Sequence, residues 1–549
     1  MKRATKELAA CIDVAMRRKP ADLVIRGARI FDLITGEMRC QEIAICGQRI
    51  AAIGDGYEGV RIIDATGLTA VPGFTDAHCH IESSMVTPHE WERMVLPRGI
   101  TSAVCDPHEL ANVAGTAAID YFLNCAKTML MHLQVQMPSC VPALPSEEAG
   151  AVLDAQALAP YAETHALAEF MNVPGVMFND PDALQKLADY SGQPIDGHAP
   201  LVSGDALNAL CAAGITTDHE CSTPEEALMK LRLGMTILVR AGSVGRNLEA
   251  LAPLFETELC GNICICTDDR DPRDVLREGH LDAAIRKAIA TGRDPLAVYR
   301  AACLTPARHF GWRDRGLLAP GYIADIVLMP DLADCRAQKV IAKGIEITED
   351  AFQARATAPD VSAFLNSVNV NRAFTAADFA APEAEEGVAG VIDGSLLTRA
   401  MTRAACETPP AILALAARHG KSNRIGKAWA DGFNLREGAL ATTVGHDSHN
   451  LCVVGTSPEA MAIAANALRD CGGGFAVVQD GKVTGLLPLP VGGLLTDTPW
   501  KDVASALETL HVAAHNTGCT LSNPFLALAF LPLPVIPHAR ITLDGFVTL

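Results

Sequence analysis

Eight short apolar runs between about residues 71 and 270, most followed by a helical pattern, constrain this fold more than any other feature of the chain. They are "AVPGFTDAHCH", "GITSAVCDPHE", "LQVQMPSCVP", "HALAEFMNV", "PIDGHAP", "ITTDHECS", "MTILVRAGS" and "NICICTDDR". Strand candidates alternating with helical patterns such as "DALNALCAAG" and "PEEALMKLRLG" predict parallel strands joined by crossover helices. Eight of them over about 200 residues, plus a last helix, suit an α/β fold of the (β/α)8 TIM-barrel type.

The polar residues fall in a regular place. His78 and His80 end the first run; Asp106, His108 and Glu109 end the second; Glu169 lies within the fourth. His198 ends the fifth, His219 the sixth and Asp268 the eighth. A barrel gathers its strand C-termini at one mouth, so these residues converge there. In "HCH" the side chains two apart project to one side and Cys79 faces away. A histidine pair alone also suits an ordinary solvated strand end. Four histidines with two carboxylates suit a binuclear metal site, and imidazole with carboxylate matches zinc, manganese or iron(II) better than a thiolate-preferring ion. Glu169 sits among apolar neighbours, where an unpaired carboxylate is costly.

The flanks have another texture. Short strands and turns fill residues 22 to 72 and return at "GLLAPGYIADIVLMPDL" and "AQKVIAKGIEI". The expected organisation is a helical extension over 1–20, a small β domain built from both flanks (21–70 with 315–350), the barrel over 71–314, and a C-terminal α+β domain over 360–549. The stretch "DFAAPEAEEGVAG" reads as a linker or solvated loop, and "CGGG" as a helix stop and turn.

Composition narrows the partners. A formal net charge of −19 argues against nucleic acid. No run approaches the roughly 18 apolar residues of a membrane span. The 18 cysteines are scattered without a C-x-x-C pair, so neither a zinc finger nor a disulfide framework is indicated, and a reduced cytoplasm is expected. Cys79, Cys105 and Cys266 read as small core residues.

The motifs "GFTDAHCHIESSM", "CDPHE", "DGHAP", "DHE" and "TDDR", in this order, resemble the amidohydrolase superfamily and, within it, the bacterial adenine deaminases. "HCH" is common across that superfamily; its combination with "IESSM" and "CDPHE" is far more specific. The resemblance runs from about residue 20 to the C-terminus and takes in "GHDSHN". Many binuclear amidohydrolases bridge their metals with a carboxylated lysine on the fourth strand. Here no lysine stands between Lys127 and Lys186, and Glu169 takes the matching place.

The resemblance implies two divalent ions, manganese or iron first and zinc permitted. His78, His80, Glu169 and Asp268 would hold one; Glu169, His198 and His219 would hold the other. It implies attack of a shared hydroxide on carbon 6 of adenine, giving hypoxanthine and ammonia in purine salvage, with Asp268 moving the proton. Glu82 is the candidate acid for the ring nitrogen, and Asp106 a positioning group at the mouth. Adenine is the expected partner, and a homo-oligomer the expected assembly.

Two other classes compete. A cyclic-amide hydrolase on the same barrel fits less well, given the missing lysine and the "IESSM" and "CDPHE" segments. A non-catalytic oligomeric scaffold would have no need of a full ligand set. His446, Asp447 and His449 in "GHDSHN" could bind a further metal or close over the mouth, but a hydrogen-bonded turn is the favoured reading. Asp269 and Arg270 read as a hydrogen-bonding frame, and His89, His132, His165, His280 and His309 as structural.

Overall fold

The architecture follows from which strands can be buried on both faces. In the computed structural model, which describes residues 4–383, 387–536 and 538–548, eight parallel strands close into a barrel. They are β1 (Phe74–His80), β2 (Ile100–Cys105), β3 (His132–Val135), β4 (Leu167–Phe170), β5 (Ile195–Gly197), β6 (Thr217–Asp218), β7 (Thr236–Arg240) and β8 (Ile263–Cys266). All seven residues of β1 and all six of β2 are buried, as expected for parallel strands covered by helices outside and filled by side chains inside.

Parallel registers join β1–β2, β2–β3, β4–β5, β6–β7 and β7–β8. A Met137–Leu167 bridge links the ends of β3 and β4, and the Thr216 N–H donates to Ile195 O at 2.9 Å between β5 and β6. Closure comes past the end of β8, where Asp268–Asp269 pairs in parallel with Cys79 and His80. The barrel read from the strand–helix alternation is therefore present, and its closing seam lies at the metal-ligand candidates.

The two flanks meet in one six-stranded sheet. Thr69–Pro72, which leads into β1, pairs antiparallel with Ile326–Met329, which follows the barrel. A four-stranded sheet of Ala21–Arg26, Glu42–Cys46, Arg49–Gly54 and Gly59–Asp64 completes this β region. The helix Thr5–Ala15 lies over that sheet, with Val14 buried in a cluster that includes Ala21 and Val24.

The C-terminal part is built on an eight-stranded sheet from Val388 to Pro488, with the helices Pro458–Cys471 and Trp500–Asn516 packed against it. Of the stretch read as a linker, Asp378 and Phe379 end the 3-10 turn Ala376–Phe379, which has a capping box from Thr375 and Asp378, Phe379 is fully buried, residues 384–386 lie outside the described residues, and Val388 begins a strand of the sheet. The helix Pro458–Cys471 stops at Gly472, whose φ of 85° is the left-handed value that glycine tolerates, so "CGGG" is a stop and turn. Among the described residues no helix is long and apolar enough to cross a membrane.

Candidate active site

Side chains at the barrel mouth are fixed from behind before they face one another. Asp76, one of the first polar residues in β1, holds the end of β8 by accepting from Thr267 N–H at 3.0 Å and Thr267 Oγ1 at 2.5 Å. This anchors the residue before Asp268, which adopts φ 57°, a conformation that non-glycine residues seldom take outside constrained sites. Lys230, fully buried, donates to Ala199 O at 2.7 Å and to Asp218 Oδ2 at 2.9 Å. Asp218 in turn accepts from Ala199 N–H at 2.8 Å, so the chain beside His198 and the chain beside His219 are tied together.

On that frame six side chains converge. Glu169 Oε1 lies 3.2 Å from His80 Nε2. Glu169 Oε2 lies 3.0 Å from His198 Nδ1 and 3.3 Å from His219 Nε2. Asp268 Oδ1 is 3.4 Å from His78 Nε2 and 3.2 Å from His80 Nε2. The His78 and His219 rings stack at 4.4 Å. One carboxylate thus presents one oxygen to His80 and the other to His198 and His219.

This donor set fits divalent cations. Two ligand atoms about 2.1 Å from one ion, at a right angle, stand about 3.0 Å apart, close to the spacings here. Both ring nitrogens of the fully buried His78 lack a hydrogen-bond partner, as does His219 Nδ1. His80 Nδ1 sits 3.1 Å from Asp106 O, an acceptor, so the proton belongs on Nδ1 and the Nε2 lone pair is left facing Glu169 and Asp268. Burial would raise the carboxyl of Glu169, but the imidazoles of His198, His219 and His80 hold it well below the usual range. Asp268 is likewise depressed against the effect of burial, by Arg240 and by His78 and His80.

Asp106 and Glu82 occupy different places. Asp106 Oδ2 accepts from His108 Nδ1 at 3.0 Å, and its Oδ1 is buried without a partner. Glu82 lies in the turn Ile81–Ser84, where Oε1 accepts from Leu110 N–H at 3.2 Å and Oε2 has no partner. Burial, with the negative charge of Glu109 adding to it, pushes the Glu82 carboxyl up to about 7.

Sequence reasoning missed Glu220 and Arg240. Arg240 donates to Asp268 Oδ2 at 2.8 Å and to Glu220 Oε2 at 3.0 Å, so this cation beside Asp268 is itself held by a second carboxylate. Both stood in quoted motifs, and Arg240 ends β7, so the strand-end rule applied to every strand would have found it. Asp269 accepts from Ser83, and Arg270 donates to the carbonyls of Ala241, Gly242 and Gly279; both are frame residues. Cys79, Cys105 and Cys266 are buried and free.

The C-terminal part completes the mouth. His446 Nδ1 lies 2.6 Å from Glu109 Oε1, and His449 Nε2 contacts Glu109 Oε2. "GHDSHN" is a turn, closed by His449 N–H donating to Gly445 O at 2.7 Å, and it also reaches the barrel. Leu396, Phe530, Leu533, Val535 and Ile536 form an apolar wall of the cavity over Glu169, His198, His219 and Asp268.

Comparison with known proteins agrees with this architecture. The profile of the amidohydrolase family matches residues 69–374, and that of the adenine deaminase C-terminal domain matches residues 398–549. A Sinorhizobium fredii protein named adenine deaminase is 49% identical over 98% of this chain and 97% of its own length. Adenine deaminase 1 of Rhizobium meliloti is 48% identical over 99% and 98%, and the adenine deaminase of Gluconobacter oxydans 49% identical over 96% of each. The chain belongs to the adenine deaminase family of the amidohydrolases.

Proposed function

We propose that this chain hydrolyses adenine to hypoxanthine and ammonia. The observation that carries the reading is Glu169, buried in β4 with one oxygen toward His80 and the other toward His198 and His219, in a chain whose relatives of matching length bear the name adenine deaminase. In this reading His78, His80, Glu169 and Asp268 hold one divalent ion and Glu169, His198 and His219 a second, with manganese or iron the first candidates and zinc permitted by the donors. Such ions supply the Lewis acidity that makes water nucleophilic near neutral pH.

The chain's own residues then manage protons. Asp268, ionised beside Arg240, accepts a proton from the attacking water and returns it to the amine nitrogen on carbon 6, which leaves as ammonia. Glu82, whose raised carboxyl keeps a proton, donates it to the adjacent ring nitrogen and recovers one from the new oxygen. One water proton ends on the ring and the other on ammonia. Arg240 and Glu220 keep Asp268 in place, Asp106 orients His80 through its carbonyl and His108 through its carboxylate, and the apolar wall around Phe530 keeps bulk water from the base.

Substrate scope follows from the surroundings. Arg246, Arg273 and Arg277 line a cleft beside the mouth, but each is paired, with Asp274 at 3.0 Å, Asp271 at 3.3 Å and Glu508 at 2.5 Å respectively. A nucleotide phosphate therefore meets no uncommitted cation among them. Ammonia release measured on adenine, adenosine, AMP and dihydroorotate is expected to be fast on adenine, far slower on adenosine and AMP, and absent on the cyclic amide, whose ring opening is followed separately. Adenosine reacting as well as adenine would refute the preference for the free base. Ring opening of dihydroorotate without adenine turnover would overturn the deaminase reading.

A further inference from the structure

Outside the six strand-end residues, a second knot of metal-ligating side chains lies where the C-terminal part meets the barrel. His108 and Glu109 begin the helix His108–Ala114 after β2, and Asp447 comes from "GHDSHN". Ligand atoms of these three lie within 4.8 Å of one another, and all three residues are buried, at 4%, 2% and 3% exposure. His108 Nδ1 faces Asp106 Oδ2 at 3.0 Å, and a carboxylate only accepts, so Nδ1 carries a proton. In the neutral ring the Nε2 lone pair then points at Glu109 Oε1, 3.3 Å away. Two lone pairs so placed repel unless a cation lies between them.

The carboxylates say the same. Asp447 Oδ2 is buried without a hydrogen-bond partner, and the buried Glu109 carboxylate faces three imidazoles, those of His108, His446 and His449. Buried carboxylate oxygens are costly unless paired or bound to a metal. We propose that a further divalent cation binds at this seam, held by His108 Nε2, Glu109 and Asp447. His446 Nδ1 lies 2.6 Å from Glu109 Oε1, a hydrogen-bonding distance, and orients that carboxylate. His449 is not a ligand: its Nδ1 accepts from Gly445 N–H at 3.1 Å, which puts its proton on Nε2, against Glu109 Oε2, where it orients that carboxylate. The imidazole and carboxylate donors select manganese, iron(II) or zinc over softer ions. The ion would pin the C-terminal loop to the barrel and so form part of the active-site wall, since Glu109, His446 and Asp447 all line that cavity.

A competing occupant of the gap is a proton, which would make His108 an imidazolium between Asp106 and Glu109. Metal content separates the two. Wild type and Asp447→Asn, stripped with chelator, reloaded with manganese and passed over a desalting column, are compared by elemental analysis. The expected result is one equivalent per chain less in Asp447→Asn than in wild type. Equal content in both overturns the proposal. If Asp447→Asn does not fold, Glu109→Gln serves instead: a loss of one equivalent per chain supports the seam ion, and content equal to wild type refutes it. Neither measurement depends on turnover, so this inference and the deaminase reading can fail separately.

Discussion

Asp268→Asn is expected to lower kcat for adenine by about 10²- to 10⁴-fold, the usual weight of a general acid–base group, while KM changes little. Asp268 sends Oδ1 toward His78 and His80 and takes the Arg240 guanidinium on Oδ2. Asparagine keeps the size and one acceptor oxygen, so the packing survives, and Arg240 retains Glu220 as an ionic partner. What is lost is a group able to take a proton from water and give it to a departing amine. Steady-state kinetics with metal content measured on the same preparation checks this, because the proton role predicts a kcat loss larger than any fall in bound metal. Near-normal turnover in Asp268→Asn would leave the proton shuttle without a basis.

Glu169→Ala is expected to do more, losing bound metal as well as rate, with a kcat below that of Asp268→Asn. Both oxygens of Glu169 are engaged, one by His80 and the other by His198 and His219, whereas Glu220 stands farther from the last two, at 3.7 and 3.5 Å. Its removal leaves four histidines gathered around a void and divides what would be a shared ligand set. Elemental analysis and ammonia release on the same sample test the pair of effects. A variant with full metal content and wild-type turnover would exclude Glu169 from the centre.

Much of this arrangement was legible in the sequence because barrels obey a positional rule. Apolar runs that end in His, Asp or Glu place those groups at one mouth, so His78, His80, His198, His219 and Asp268 could be grouped without any knowledge of distances. Glu169 was legible for a different reason: a carboxylate inside an apolar strand must be paired. Glu220 and Arg240 were passed over because an acid next to His219, or a cation ending β7, resembles an ordinary solvated terminus, and only proximity to Asp268 gives them meaning. The contacts of His446 and His449 with Glu109 span more than 300 positions of sequence, and no periodicity encodes a partner so far away. The same holds for the flanks. Their β texture was plain, but the antiparallel register of Ile326 with Pro72 and Met329 with Thr69 depends on where the barrel returns the chain.

The central claim is that adenine is deaminated at the cluster of strand-end imidazoles and carboxylates, with divalent ions bound there. The most direct measurement follows hypoxanthine and ammonia from adenine in the purified chain, before chelation, after it, and after return of manganese or iron(II). The account predicts equal amounts of the two products before chelation, none after, and recovery on reloading. Undiminished turnover in protein shown by elemental analysis to be free of metal would contradict it.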